Sequence, residues 1–499
     1  MSDLIQSFIY MTESFSIIMF YIQKKINTMK SSNFIKMRLL KSFLLLFALL
    51  FSQYASAYDF MVDGLCYNKN SDGTTVKVTY QINNSGNNYS SLSGTLEIPA
   101  TVAWEGVTYS VTTIGEYAFR YNQTITSVTI PLSVTLIDNS AFYNCNKLTS
   151  VIIPNSVTSI GSEAFYNSGK LASVTIPASV TSIGEYAFVN CSGITAVSVD
   201  DGNLAYDSRD NCNAIIETGT NTLIFGCRNT VIPNTVTSIG GNAFANCWGL
   251  FSVSIPSSVT TIGSGAFNGC YNMTSVTIPN SVTDIGEYAF KGCTKLSSIN
   301  IPSSVTSIGR YAFYECPGLI SVNVPNLTFL GEFAFWNCQN LASLNIGNSL
   351  PSIEPYTFSG CSALTEIIIP NSATSIGQSA FMGCTNMTSV TIGSSVTSID
   401  NNAFYDCNNL RSIHSKIQNP ENLTYGRYIF DGVSINYCKV YVPVGTLESY
   451  QFTAPWNSFM NIFEEGGGQT PIRGDVDGDG VVTSADITAI YNILLGQDE

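Results

Sequence analysis

The sequence predicts a repeat solenoid, mainly β, built from twelve coils of about 23 residues. Three observations predict it. An Ile-Gly element recurs at Ile114, Ile137, Ile160, Ile183, Ile239, Ile262, Ile285, Ile308, Leu330, Ile353, Ile376 and Ile399, with Asp or Glu replacing Gly three times. The step is 23 except into Leu330, where it is 22, and between Ile183 and Ile239, where it is 56. Between these markers runs one phrase, nearly complete from Cys270 through Phe290, in which strand-like alternation, a Pro and a Phe return in fixed places. Charged residues make up only 11% of the chain, and small hydroxyl and Asn side chains are abundant, so the surface is polar but mostly uncharged. A length of 499 residues suggests about three domains, but stacked repeats contact only their neighbours and override that prior.

The elements follow in order. Residues 1–57 form a signal region. In residues 37–57, Arg38 and Lys41 precede an apolar core from Ser42 to Phe51, and Ala55-Ser56-Ala57 offers small residues to a signal peptidase, so export is expected with Tyr58 as the mature N-terminus. Residues 1–36 have no comparable logic and suggest that translation starts at Met37. The stretch from Leu4 to Tyr21 is too short and carries Glu13, so no membrane span is expected in the mature chain. Removing residues 1–57 leaves 15 Lys/Arg against 33 Asp/Glu, a net charge of −18, which repels nucleic acid and anionic membrane.

The coils occupy residues 114–411. Leu148, Val151 and Ile153 alternate as a strand whose inward side chains enter a core, while Ser150 and Ile152 face out. Pro154 ends the strand because it has no N–H to continue a ladder. The S-V-T-S-I-G segment is a second extended piece closed by a turn, and Ala164-Phe165 plugs the coil. One coil cannot bury these side chains alone; stacked coils share a continuous core, and each large apolar side chain contributes roughly 1.5–3 kcal/mol. The long step holds a Tyr/Asp/Asn-rich insertion at about residues 200–232.

Fourteen cysteines in an exported chain would normally signal a disulfide framework. Ten of them (Cys145, Cys191, Cys247, Cys270, Cys293, Cys316, Cys338, Cys361, Cys384 and Cys407) occupy one repeat position, three residues after the Phe. Equivalent residues of adjacent coils run parallel at about 4.8 Å, beyond the ordinary disulfide separation, so they read as a buried ladder of small apolar side chains. Ser168 and Asn122 stand at the same position. Cys66, Cys212, Cys227 and Cys438 lie off the ladder; Cys212 and Cys227 either close a hairpin or remain buried free thiols.

At the C-terminus, the linker 464–473 leads to a loop and helix at 474–499. Asp475, Asp477, Asp479 and Asp486 fall at positions 1, 3, 5 and 12 of an EF-hand-like loop, with Gly480 at the turn, Val481 offering its carbonyl and Thr483 at position 9. These residues are the expected calcium site. From Ser484 an amphipathic helix follows, with Ile487, Ile490, Tyr491, Leu494 and Leu495 on one face.

Catalysis has little to stand on. His414 is the only histidine, there is no C-x-x-C pair, Walker loop or zinc spacing, and the ladder cysteines have no base or cation to lower their pKa. Glu116, Glu185, Glu287 and Glu332 recur after the Gly and read as a solvated row. No enzyme is expected. Outward hydroxyls such as Ser127 and Thr129, Ser173 and Thr175, Ser275 and Thr277, Ser389 and Thr391 make a flat neutral sheet suited to an extended partner. Aromatics follow the Gly turns at Tyr117, Tyr186, Tyr288, Tyr311, Phe333 and Tyr356, with Tyr143, Tyr166, Tyr314, Trp336 and Tyr405 beside the Phe plugs. They either cover the edge of the core or contact a ligand.

The phrase S-V-T-S-I-G-x-x-A-F-x-x-C-x-x-L-x-S-V-x-I-P resembles the BspA-like class of bacterial leucine-rich repeats, from Ile114 to Leu410. The flanks are similar too. Asp63-Gly64 and Gly106-Val107-Thr108-Tyr109 match an N-terminal β cap at 58–113, and Val442 to Gly445 with Trp456 to Phe459 match a closing cap at 412–463. The resemblance implies a leucine-rich repeat arc capped at both ends and a secreted or cell-surface protein that adheres to a host matrix or cell-surface protein. The tail loop resembles one half of a type I dockerin, which implies calcium and a glycan-associated alternative. Dockerins have two such halves, and the recognition pair here is Ser484-Ala485, which counts against cohesin as a partner.

Overall fold

The computed structural model describes residues 58–80, 89 and 92–466. From Val62 to Gly466 the described chain is one unit, a mainly β solenoid of about 15 turns. Each regular coil carries two short strands, and both pair in parallel with their equivalents one repeat away. In the longer strand Ser275–Thr277 pairs with Ser298–Asn300, and in the shorter Asp284–Ile285 pairs with Ser307–Ile308. The alternation expected from sequence is present: Leu148 and Ile153 are buried, and Ile152 is 72% exposed. After the first strand, the carbonyl of Pro279 accepts the N–H of Val282 at 3.1 Å, turning the chain into the second.

The core is a set of one-residue columns. The Phe plugs stack face to face, with ring centroids 5.1–5.7 Å apart from Phe244 through Phe404 and planes within 15° of parallel. Columns of Ile, Val, Ala and Leu run beside them, nearly all fully buried. The segment between the second strand and the Phe has no strand of its own, yet its N–H groups are satisfied by the next coil. Glu163, Phe165 and Asn167 donate to the carbonyls of Glu185, Ala187 and Val189, and the same trio recurs coil after coil.

The array runs beyond the twelve expected positions. Val78 pairs with Ile114, Leu223 with Ile239 and Tyr425 with Ile399. The insertion therefore begins the part of the ladder that follows it, while the preceding part ends at Ser182–Ile183. Tyr206 stands 23 residues after Ile183, but its strand pairs with Ala214–Glu217, and it is its hydroxyl that accepts the Ile183 N–H at 3.0 Å. Ala214–Glu217 and Thr222–Gly226 then form an antiparallel hairpin whose second strand carries Leu223 into the Ile column. On the C-terminal side, Ser412–Ser415, Lys439–Val442 and Asn461–Glu464 continue the longer-strand sheet in parallel. A helix at Leu447–Phe452 lays Tyr450 beside Trp456, both buried. No helix among the described residues is long and apolar enough to cross a membrane.

All fourteen cysteines are free and buried, including Cys212 and Cys227, so the hairpin disulfide does not form. The ladder slot is more than a small apolar space. Cys270, Cys316 and Cys338 each donate from Sγ to the carbonyl of the preceding coil's Phe at 3.1 Å. Ser168 Oγ does the same to Phe142 at 3.0 Å, and Asn122 Nδ2 reaches the Tyr89 carbonyl at 3.1 Å. The slot selects a compact donor, which is why Ser and Asn replace Cys there. Burial pushes the thiols of Cys145, Cys191, Cys361 and Cys407 up to about 12, and those of Cys270, Cys293, Cys316, Cys338 and Cys384 well above the ordinary range. They are protonated and unreactive.

Candidate binding surface

Every regular coil places two residues in the left-handed region, where a side chain is disfavoured. The second, just before the Cys slot, is occupied mostly by residues that tolerate it, Asn144, Asn167, Asn190, Asn246, Gly269, Gly292, Asn337, Gly360, Gly383 and Asp406, with Tyr121 and Glu315 the exceptions. The first is not. Tyr117, Tyr186, Tyr288, Tyr311, Phe333, Tyr356 and Tyr428 all sit at φ between 56° and 59°. Bulky aromatics thus fill a position where Asn or Gly would be less strained.

These aromatics build a surface. Tyr288, Tyr311, Phe333 and Tyr356 form one stack with centroids 4.9, 4.8 and 4.7 Å apart, and Gln378 Nε2 donates to the Tyr356 hydroxyl at 2.8 Å. Beside it Tyr314 stacks on Trp336 at 4.6 Å and meets Tyr311 edge-on at 5.4 Å. All six rings are half-buried. Arg310 lies 4.8 Å from the Tyr311 ring centre and 5.9 Å from that of Phe333, and pairs with Glu332 at 2.9 Å. Lys291 lies 5.4 Å from Tyr288 and 5.0 Å from Tyr314. Burial, with Glu287 beside Tyr288 and Glu315 beside Tyr314, raises both phenols, so each keeps its proton and can donate a hydrogen bond. A smaller cluster repeats the arrangement: Arg120 lies within 5.0 Å of the ring centres of Tyr117, Tyr121 and Tyr143.

Sequence reasoning found the rings but not the cations over them. The signal was present, since Arg120 and Lys291 each stand three residues after a left-handed Tyr and Arg310 one before. The hydroxyl sheet forms a separate face. There Ser127 donates to Thr95 at 2.9 Å, Thr175 and Ser198 lie 2.9 Å apart, and Ser412 donates to Ser389 at 3.0 Å. Its hydroxyls partly satisfy one another, which leaves the aromatic face with the more adaptable contacts. Glu332 stays in the expected solvated row, its side chain 40% exposed, and pairs there with Arg310.

His414 stacks on Tyr441 at 4.7 Å and approaches Glu465 at 3.2 Å, with no nucleophile in the arrangement. Among the described residues no group of His, Cys, Asp and Glu is placed to hold a metal. The expected calcium ligands Asp475, Asp477, Asp479, Val481, Thr483 and Asp486, and the signal region, lie outside the described residues.

Comparison with known proteins agrees with this architecture. The BspA type leucine rich repeat region, in six copies, matches residues 109–213, 224–342 and 328–455. A leucine-rich repeat protein from Bacteroides ovatus is 26% identical with a TM-score of 0.54, the match covering 81% of this chain and 99% of that one. A leucine rich cell surface protein from Faecalibacterium prausnitzii is 28% identical with a TM-score of 0.48, covering 71% and 94% respectively. No curated protein sequence matches the chain. With the repeat region matched over more than half its length, the chain belongs to the BspA-type leucine-rich repeat family.

Proposed function

We propose that the chain is an exported leucine-rich repeat binding protein that adheres to host matrix or cell-surface proteins through the aromatic face of its solenoid, with no catalytic step of its own. The observation that carries this reading is the six-ring patch around Tyr311 and Trp336 with Arg310 and Lys291 laid over it. Tyr, Trp and Arg dominate the binding energy of protein interfaces, and rings held rigidly by their neighbours lose little freedom on binding. Aromatics at a backbone position that disfavours them indicate that the side chains do something a glycine cannot. The test is binding of the mature chain from Tyr58 to immobilised matrix and cell-surface proteins. Trp336→Ala with Tyr314→Ala should weaken the interaction at least tenfold while leaving the circular dichroism spectrum unchanged. Undiminished binding by that variant, or no binding to any protein by the parent, would reject the reading.

The tail supports a second reading, a glycan-associated surface component recruited through its dockerin-like loop, because four Asp residues fall at calcium-ligand spacing from Asp475 to Asp486. Calorimetry should then detect calcium binding to the mature chain that Asp475→Ala with Asp486→Ala abolishes, and a carbohydrate array should give a calcium-dependent signal. Heat uptake that is identical in parent and variant, or a silent array, removes this alternative.

A further inference from the structure

The solenoid has an open edge in its interior. In the regular coils the trio of N–H groups flanking the Phe is received by three carbonyls of the next coil, as Asn242, Phe244 and Asn246 are by Ser264, Ala266 and Asn268. At the coil of Ile183 the corresponding amides of Tyr186, Phe188 and Asn190 have no acceptor among the described residues, because the chain that should follow has turned away into the hairpin. The sheet of short strands ends at the same place: Ser182–Ile183 pairs with Ser159–Ile160 on one side and with no strand on the other. An independent side-chain observation marks the same edge. Asn144, Asn167 and Asn190 form a column in which Asn167 Nδ2 donates to Asn144 Oδ1 and Asn190 Nδ2 to Asn167 Oδ1, and the last acceptor, Asn190 Oδ1, is buried without a partner.

Tyr186 and Phe188 border a cavity of about 400 Å³ between this coil and the hairpin, lined also by Val189, Tyr206 and Phe225, with Asn190 one residue beyond its lining. Phe225 tilts over Phe188 at 5.6 Å and 45°, in place of the parallel ring found elsewhere. The last coil also lacks a following trio, but there Trp456 and Phe459 close over Phe430. The titratable groups lining the interior cavity are Glu185, Glu217, Tyr186 and Tyr206, so the cavity has two carboxylates and no cation.

We infer that this edge is a second, separate binding site, which receives an extended polypeptide segment of a partner protein, neutral at its centre and basic at its flanks. The occupant follows from what the same edge accepts elsewhere in the molecule. Three acceptors on alternate residues of one main chain are what each following coil supplies, and a polypeptide backbone offers that spacing. The carboxylates of Glu185 and Glu217 favour positive charge beside it. The inference shares the protein-binding reading above but uses none of the six-ring patch, so the two fail separately.

The experiment is residue-resolved hydrogen exchange on the mature chain, with a synthetic probe carrying the segment Gly263–Gly269 between pairs of lysines. In the free chain the amides of Tyr186, Phe188 and Asn190 should exchange at least about tenfold faster than those of Glu163, Phe165 and Asn167. Saturation with the probe should bring them to comparable protection. A probe flanked by glutamates should bind about tenfold more weakly, and Glu185→Lys with Glu217→Lys should reverse that preference. Trp336→Ala with Tyr314→Ala should leave probe binding unchanged even if matrix-protein binding is lost. Protection of the three amides in the free chain equal to that of Glu163, Phe165 and Asn167 would show that the edge is closed, and exchange unaltered by the probe would overturn the site.

Discussion

The stretch from Ile239 to Ile399 and the junction between Ile183 and Ile239 use the same materials to opposite effect. In the first, every coil repeats the last, so each donor meets an acceptor and each ring meets a parallel ring. In the second, 33 residues separate Tyr206 from Ile239, and the chain between them folds back on itself as a hairpin. The Phe column crosses the junction only as the tilted contact of Phe225 with Phe188, and Leu223 restarts the Ile column by pairing with Ile239. The polar column does not cross, and it ends at Asn190. Apolar continuity tolerates a change of shape because it needs only filled volume, whereas a directional donor needs its partner in one place.

That contrast can be broken first at the Phe column. Phe290→Ala empties a slot between two parallel rings and should cost about 3–5 kcal/mol. Since coils couple to nearest neighbours, faster hydrogen exchange should be confined to about Ile262 through Ile308. Phe188→Ala, with only one parallel neighbour, should cost measurably less in the same denaturation assay. Equal losses, or loss of protection over the whole array, would contradict the nearest-neighbour picture.

The ladder thiols give a second comparison. Folded Cys145, Cys191, Cys361 and Cys407 ionise near 12, against an ordinary value of 9.0. Between those values the unfolded chain has lost protons that the folded chain keeps. Stability is therefore fully present below pH 9 and falls as pH rises toward about 12, by about 1.4 kcal/mol per pH unit for each such thiol. Chemical denaturation at pH 8, 9.5 and 10.5 should show this steepening, and thiol counting at pH 8 should find all fourteen unreactive when folded and free when denatured. A flat alkaline profile would mean that the slot is wet.

Smaller effects test the surface. Tyr288→Asn relieves a left-handed aromatic, a cost of about 1–2 kcal/mol, but gives up a ring contact of about 0.5–1.5 kcal/mol, so the net stability change should stay within about 1 kcal/mol. Loss of several kcal/mol would assign the column to the core rather than to binding. Cys293→Val should cost about 1 kcal/mol by withdrawing the donor to Phe267, while Cys293→Ser should lie within a few tenths of wild type.

Much of this architecture was legible because a repeated sequence states its own register. Once Ile114 and Ile137 are aligned, Val128, Phe119 and Cys145 have known neighbours, and the structure places them as the period requires. The cysteine slot was read correctly as unpaired, but its chemistry was missed, since a hydrogen bond to a carbonyl 26 residues away leaves no mark in hydropathy. Ser168 and Asn122 were the clue, both being donors. The insertion was illegible beyond its bounds because it has no period. Tyr206 does stand one full step after Ile183, yet its strand pairs with Ala214–Glu217, and it is its hydroxyl that meets the Ile183 N–H. The aromatic face was half legible: spacing gave the rings, the spacing of Arg120, Lys291 and Arg310 from them went unread, and the strain beneath them required coordinates.

The one-coil-deep connectivity has a mechanical consequence. A tether pulled from its two ends loads the inter-coil bonds in series, so coils peel off singly and the rest of the array remains intact. Each coil released lengthens the chain by roughly 75 Å, the reach of 23 extended residues less one strand spacing. A molecule built this way absorbs a sudden tug as a sequence of small, recoverable extensions, and with every thiol buried and protonated, the peeled segments have no crosslink to rupture before they wind back.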